Sequence, residues 1–159
     1  MTINFGYDKR QVVQALRYHF ISKIEIRIML ITVNLFAMAS FILYFAGKID
    51  AMAFLVSSLL WFVLMISFWF VLPGAVYKRA ITFKHTFSMH FSDSYFSLEH
   101  DRGSKSWDWN VLKYYLESPH FFHLYFDSRS FLLVPKSGCT DSDQLVELRK
   151  LIKEHVKKK

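Results

Sequence analysis

Two uncharged apolar runs separated by a four-residue link constrain this chain more than any other feature. The first run covers residues 28–46 and the second covers residues 51–72, with Gly-Lys-Ile-Asp between them. About twenty apolar residues in a helix cross a hydrocarbon core roughly 30 Å thick. Because so short a link can join only antiparallel neighbours, residues 28–72 are predicted to form a two-span α-hairpin in the lipid bilayer. Counting outward from the link, Ser40 and Ser57 are expected to face each other at similar depth.

Basic residues flank this hairpin on one side only, which predicts its orientation. Residues 1–27 hold five basic and two acidic side chains, and residues 73–159 hold 14 basic and 10 acidic ones. The link carries one charge of each sign, and the whole chain has a net charge of +7. Because positive flanks tend to stay in the cytoplasm, we expect a cell (inner) membrane protein with both termini cytoplasmic.

The N-terminal region, residues 1–27, is predicted to contain a short strand and a juxtamembrane amphipathic helix. Asp8 and Gln11 have the spacing of a capping box, and apolar side chains recur every four residues from Val12 to Ile24. The apolar face of this helix could lie on the bilayer surface or pack on the soluble domain. Whether the N-terminal strand joins the later sheet is equally open.

After the second span, which Pro73 and Gly74 are predicted to end, the period changes from helical to alternating. The alternation predicts strands near 87–91, 96–98, 106–109, 113–117, 122–126 and 131–134, with turns at 93–94, 101–104 and 127–129. A helix with an apolar stripe from Leu145 to Val156 closes the chain. The predicted fold is therefore a membrane α-hairpin plus an α+β soluble domain, residues 79–159, in which an antiparallel β-meander is closed by a C-terminal amphipathic helix.

Three short segments carry a resemblance to a known family. They are residues 107–111 (Trp-Asp-Trp-Asn-Val), 121–125 (Phe-Phe-His-Leu-Tyr) and 131–136 (Phe-Leu-Leu-Val-Pro-Lys). In order and spacing the chain resembles the YcxB-like family of small bacterial membrane proteins. The resemblance implies a cytoplasmic pleckstrin-homology-like domain and no established activity to transfer. In that family a basic and an aromatic residue tend to follow Pro-Lys, whereas Ser-Gly-Cys stands here at 137–139.

The sequence argues against most kinds of chemistry. Neither span contains Asp, Glu, Lys, Arg or His, the side chains that ion and proton pathways usually need. His120 and His123 would point to opposite faces of a strand, and the chain has no zinc-binding or phosphate-loop motif, so no metal and no cofactor are predicted. The one-sided charge explains the basic composition without a nucleic acid partner. Cys139 is the only cysteine and is expected to be a small, buried or half-buried side chain.

Two groups of side chains are candidate contact sites. Trp107 and Trp109, two apart on one predicted strand face, could pack in the core or form an exposed aromatic patch. Within the spans, Asn34 could bond Ser67 or a partner protein, and Trp61 lies near the middle of the membrane. The candidates for binding lipid headgroups are the basic residues Arg27, Lys78, Arg79 and Lys136.

These observations lead to three hypotheses of function. The first is a non-enzymatic, membrane-anchored binding module or adaptor, an accessory subunit of a membrane protein assembly. Its expected partner is another membrane protein or, in a homo-oligomer, a second copy of the chain. The second is a domain that binds anionic lipid headgroups at the cytoplasmic surface. The third is a membrane enzyme, which would require a polar cleft that the sequence pattern does not reveal.

Overall fold

The computed structural model describes residues 1–100 and 103–159, apart from the side chains of Ile81 and Lys84. The predicted turn at 101–104 therefore lies partly outside the described residues. Met1–Ala15 and Ile81–Lys159 form one compact unit, called the sheet unit below. Leu16–Ala80 forms another, called the hairpin unit.

Helices make up the hairpin unit and the approach to it. In chain order they are α1 (Lys9–Ile21), α2 (Ile24–Phe45), α3 (Ala51–Ile66), a π-helical segment (Ser67–Val71) and α4 (Leu72–Arg79). Within the described residues, two helical stretches are long and apolar enough to cross a membrane, α2 and the continuous stretch from α3 through α4. Few of their side chains are buried inside the protein, as expected of helices surrounded by lipid. The predicted pair of apolar helices is confirmed, although α2 begins at Ile24 rather than at residue 28.

The link between α2 and α3 is stabilised by a cap at each end. Gly47 has a φ of 66°, which glycine adopts without steric cost. The N–H of Lys48 donates to the carbonyl of Leu43 at 2.9 Å, the six-to-one bond of a Schellman C-cap. Asp50 caps α3 by accepting from the N–H of Ala53 at 2.9 Å. The local sequence thus encodes the tight reversal directly.

The predicted end of the second span at Pro73 and Gly74 is wrong, because the helix continues to Arg79. A π-helical turn precedes the proline, and the N–H of Leu72 bonds to the carbonyl of Ser67, five residues earlier. Pro73 consequently stands in the first turn of α4, a position that proline tolerates well. The chain therefore changes its hydrogen-bonding pattern at the proline and stays helical.

The apolar face of α1 is covered by protein. Asp8 caps the helix, since its carboxylate accepts from the N–H of Gln11 at 3.0 Å as the sequence predicted. Val12, Ala15 and Leu16 on one face are almost completely buried. Of the two arrangements that the sequence left open, packing against protein is favoured over lying on the bilayer.

Antiparallel strands and a final helix, α5 (Ser142–His155), form the sheet unit. The strands are β1 (Thr2–Phe5), β2 (Phe87–Phe91), β3 (Tyr95–His100), β4 (Gly103–Asp108), β5 (Tyr114–Glu117), β6 (Phe121–Tyr125) and β7 (Phe131–Pro135). One sheet has the order β1-β2-β3-β4 and another has the order β5-β6-β7. The predicted meander is confirmed and is divided between these sheets.

The N-terminal strand joins the sheet that begins after the hairpin. β1 pairs antiparallel with β2, with Ile3 opposite Met89 and Phe5 opposite Phe87. All four side chains are buried and help to form the core. The chain segments before and after the membrane hairpin therefore complete a single sheet.

The core lies between the sheets and α5. Phe122 on β6 and Leu148 and Ile152 on α5 are fully buried. Asp141 caps α5 by accepting from the N–H of Gln144 at 2.7 Å. The predicted fold class, two long apolar helices followed by an antiparallel α+β domain closed by a helix, is confirmed.

Candidate interaction sites

A pair of serines joins the two spans. The hydroxyl oxygens of Ser40 on α2 and Ser57 on α3 lie 2.6 Å apart, and Ser57 also donates to the carbonyl of Phe54 at 2.9 Å. Counting outward from the link had predicted that these two serines face each other, and this is confirmed. Hydroxyls in a span need such partners because lipid offers none.

Asn34 and Trp61 also meet across the hairpin. The indole N–H of Trp61 donates to the side-chain oxygen of Asn34 at 3.4 Å, which is long for a hydrogen bond. The amide nitrogen of Asn34 donates to the carbonyl of Leu30 at 2.7 Å. In the described part of the chain these residues, rather than Ser67, are the partners of Asn34.

An apolar groove of about 350 Å³ opens beside this pair. Asn34 and Trp61 are its polar lining. The rest of the lining is contributed by α2 residues, namely Ala37, Met38, Phe41 and Ile42. The two intramembrane candidates from the sequence thus lie at one surface of the hairpin unit.

Arg17 binds the backbone of the second span at its π-helical turn. The Nε–H of Arg17 donates to the carbonyl of Trp69 at 2.9 Å. In a regular α-helix this carbonyl would accept from residue 73, but Pro73 has no N–H. The guanidinium also lies 5.7 Å from the ring of Trp69 and 5.5 Å from that of Phe70. Sequence reasoning counted Arg17 only as a charge, although the proline signalled a free carbonyl four residues earlier.

The basic residues at the ends of the spans occupy helix ends. Arg27 is exposed, and its Nε–H donates to the carbonyl of Ile21 at the end of α1, at 2.7 Å. Lys78 and Arg79 are exposed in the last turn of α4, where a positive charge is favourable to the helix dipole. These three predicted headgroup ligands are therefore accessible.

A carboxylate with two cations ties the second sheet to α5. The Oε1 of Glu117 on β5 lies 2.7 Å from the Nζ of Lys136. The same oxygen accepts from the Nε and Nη2 of Arg149 on α5, at 3.1 and 3.0 Å. Both cations also lie over the ring of Phe122, at 5.2 and 5.9 Å. We call these four residues the Glu117 cluster.

The electrostatics of this cluster stabilise the ionised acid. Partial burial alone would raise the pKa of the Glu117 carboxyl, but the hydrogen bonds from Lys136 and Arg149 outweigh it and lower that pKa below its usual value. Lys136, a predicted headgroup ligand, is accordingly committed to an internal ion pair. The sequence offered no signal for this pairing, since the three charges come from distant segments.

The two candidate tryptophans do not share a strand face, which corrects the prediction. β4 ends at Asp108, and Trp109 begins a short 3₁₀ helix. Trp109 is buried, stacks on His155 at 5.1 Å and donates its indole N–H to the carbonyl of Ser92 at 2.9 Å. It therefore packs in the core, which was the other reading of the aromatic region.

Trp107, by contrast, is only half-buried on the outermost strand of its sheet. Its ring stacks on Phe96 at 5.4 Å, and the Nζ of Lys105 lies 5.3 Å from it. Beside it is an open cleft of about 580 Å³, lined by Ser94, Tyr95, Ser106, Trp107, Asp108 and Val111. Tyr95 and Val111 expose large apolar surfaces there.

The fold and these sites can be set against known proteins. Residues 91–152 match the family model of YcxB-like proteins. The match contains all three motifs that suggested the resemblance, which is thereby confirmed, together with the Glu117 cluster and both candidate tryptophans. The YcxB-like family is not a known enzyme family. No curated protein and no solved structure gives a significant match.

The loop after Pro-Lys, where the chain departs from the YcxB-like pattern, lies close to β1. A Cβ on Gly138 would lie 3.1 Å from the Cβ of Phe5, because this loop passes closely over β1. A side chain at position 138 would therefore require the neighbouring Phe5 to shift by a few tenths of an ångström. In this chain, glycine at position 138 leaves room for β1 beside the loop.

A serine and a histidine in the YcxB-like region are close together but buried. The Nε2 of His123 lies 3.0 Å from the hydroxyl of Ser118, which itself donates to the carbonyl of Phe121. Both side chains are inaccessible, so this pair is part of the core. Within residues 1–100 and 103–159, no group of three or more His, Cys, Asp or Glu side chains could hold a metal ion.

Proposed function

We propose that this protein is a membrane-anchored binding module, an adaptor without catalytic activity that serves as an accessory subunit of a membrane protein assembly. The pairing of β1 with β2 carries this proposal. Because these strands flank the hairpin in sequence, the sheet unit is attached to its anchor through two chain segments. Such attachment supports a role in keeping a binding surface concentrated near other membrane proteins.

The same pairing supports the proposed topology. Two spans return the chain to the side of the membrane from which it entered. The pairing of β1 with β2 requires such a return, because these strands precede and follow the two spans. The positive flanks then favour the cytoplasmic side of a bacterial inner membrane. One sheet of β1 to β4, another of β5 to β7 and the closing helix support a pleckstrin-homology-like fold for the sheet unit.

The cleft beside Trp107 is the surface that we assign to the partner. It lies along the outermost strand of its sheet, and Tyr95 and Val111 are 40% exposed. Unpaired backbone groups of an outer strand, next to aromatic and apolar side chains, are suited to binding an extended segment of another protein. Trp109 and Lys136 are excluded from this role because their contacts are internal.

Photocrosslinking of the full-length protein in its native membrane tests this function. A photoreactive phenylalanine analogue at Tyr95 or Val111 should give a discrete crosslinked product with another membrane protein. The same analogue at Lys153, exposed on α5, is the control and should give none. The proposal would be contradicted if neither cleft position gave a crosslink and the protein purified alone in mild detergent.

Anionic-lipid binding is a second candidate, favoured by the exposure of Arg27, Lys78 and Arg79. The full chain is needed to test it, because residues 79–159 alone would lack β1, an outer strand of the sheet. In nanodiscs containing anionic lipid, native mass spectrometry should show retained lipid that the K78Q/R79Q double variant loses. A variant of the opposite end of the hairpin, Lys48→Gln, is the matched control. Equal lipid retention by all three chains would exclude this candidate.

A further inference from the structure

Asn34 is a polar side chain on the exposed surface of a membrane span. Its amide can donate two hydrogen bonds and accept two. Leu30 accepts one, and Trp61 donates one that is long, at 3.4 Å. Lipid tails cannot bind the remaining hydrogen-bond donor and acceptor of this amide, and an amide left unpaired in hydrocarbon is costly. The surface around Asn34 therefore favours a polar partner.

The residues around Asn34 have the geometry of a helix-packing surface. Ala37, Met38 and Phe41 follow it at the spacing that places side chains on one helix face. They line the groove of about 350 Å³ described above. The small side chain of Ala37 allows another helix to approach closely.

We propose that a second copy of this chain occupies this groove. The α2 helices of the two copies pack in parallel about a two-fold axis normal to the membrane, and their Asn34 amides hydrogen-bond to each other. The inference goes beyond the proposed adaptor function, which concerns the sheet unit.

Depth and chemistry both select a second copy as the occupant. Copies that insert with the same orientation place Asn34 at the same depth, so symmetry brings the two amides together. An amide is self-complementary, since it donates and accepts equally well. A different membrane protein would need a polar side chain at this depth, and an acyl chain could fill the groove without bonding the amide.

Cysteine crosslinking in membranes tests the geometry of this interface. In a Cys139→Ser background, Met38→Cys should form a disulfide-linked dimer on mild oxidation. The control is Ala39→Cys, which lies about 100° further around the same exposed helix. Crosslinking of Ala39→Cys in preference to Met38→Cys would overturn the proposed interface.

Dilution into liposomes tests the role of the amide. Fluorescence transfer between labelled copies, measured at falling protein-to-lipid ratios, should show dimers whose dissociation constant rises roughly tenfold in Asn34→Leu. Asn34→Gln, which retains an amide, should restore most of the affinity. Thr32→Val is the control, because it removes an exposed hydroxyl from the opposite face of α2.

Either of two results would overturn the inference. One is a wild-type chain that is monomeric at every ratio, and the other is equal dimer affinity in wild type and Asn34→Leu. Crosslinks from Tyr95 or Val111 to another protein would leave the adaptor function intact in both cases. A failure of the dimer is therefore distinguishable from a failure of the proposed function.

Discussion

The hairpin unit and the sheet unit are stabilised by opposite means. In the sheet unit, apolar side chains such as Phe122 and Ile152 are buried in a core. In the hairpin unit, apolar side chains remain exposed, and the helices are joined by polar contacts such as Ser40 with Ser57 and Arg17 with Trp69. Water drives apolar groups together, whereas lipid does not distinguish them from its own tails. The same residue type therefore has different energetic importance in the two units.

The largest expected effect is the difference between leucines in the two units. Leu148→Ala removes a fully buried side chain of α5 and should lower the free energy of unfolding by about 2–5 kcal/mol. Leu59→Ala, at a position 65% exposed on a span, should change it by less than about 0.5 kcal/mol. Denaturant titrations in detergent micelles, followed by tryptophan fluorescence, measure both. An equal loss of unfolding free energy in the two variants would show that burial of apolar side chains also stabilises the spans.

The contact between Arg17 and Trp69 should be the most important polar contact of the hairpin unit. Arg17→Met leaves the carbonyl of Trp69 without its donor and should cost about 1–3 kcal/mol. Pro73→Ala supplies a backbone N–H that can bond this carbonyl, so Arg17→Met should cost much less in that background. A double-mutant cycle by unfolding in SDS measures the coupling. Strict additivity of the two substitutions would contradict the proposed role of Arg17.

In the sheet unit, the Glu117 cluster should contribute stability that depends on pH. Glu117→Gln should cost about 1–2 kcal/mol at pH 7, because two charge-assisted interactions are lost. The folded-state pKa of this carboxyl lies below its usual value of 4.5. The contribution is thus complete above pH 4.5 and is lost as the pH falls through the lower, folded-state pKa.

Urea unfolding of wild type and Glu117→Gln between pH 7 and pH 3 measures this dependence. The stability difference between the two chains should shrink as the pH falls. Glu154→Gln, in an exposed pair with Lys150 at 3.8 Å, is the control and should cost less than about 0.5 kcal/mol. A difference that does not change with pH would exclude the ion pairs as its cause.

Glycines should also behave differently in the two units. Gly138→Ala should cost about 1 kcal/mol, because its new Cβ would crowd Phe5. Gly74→Ala lies in a helix with no heavy atom near the new Cβ, and should stabilise by about 0.5–1 kcal/mol. Thermal unfolding of the two variants measures the sign of each effect. Stabilisation by Gly138→Ala would show that β1 does not dock closely against this loop.

The smallest expected effect is that of the serine pair. Ser40→Ala removes one hydroxyl from the 2.6 Å contact with Ser57 and should cost about 0.6 kcal/mol. Unfolding in SDS, with Ser58→Ala on the neighbouring surface of α3 as the control, measures this difference. A cost above about 2 kcal/mol would mean that the two helices need this bond to pair.

The parts that were predicted correctly depend on local patterns. Alternation at Phe87, Met89 and Phe91 predicted β2 because a strand repeats every two residues. The position of the link predicted the facing pair Ser40 and Ser57, because two helices joined by so short a turn have a fixed register. Where a local signal had more than one structural outcome, prediction failed. Pro73 was read as a helix end, although a π-helical turn accommodates it.

The sequence by itself determined the two spans, the change to alternating strands and the closing helix, because each follows from periodicity and caps over a few residues. Tertiary structure alone decided that Ile3 pairs with Met89, that Arg17 reaches the carbonyl of Trp69 and that Lys136 binds Glu117. Each of these contacts joins residues far apart in the chain. Which distant groups meet depends on the path of the whole backbone, and no local pattern records that path.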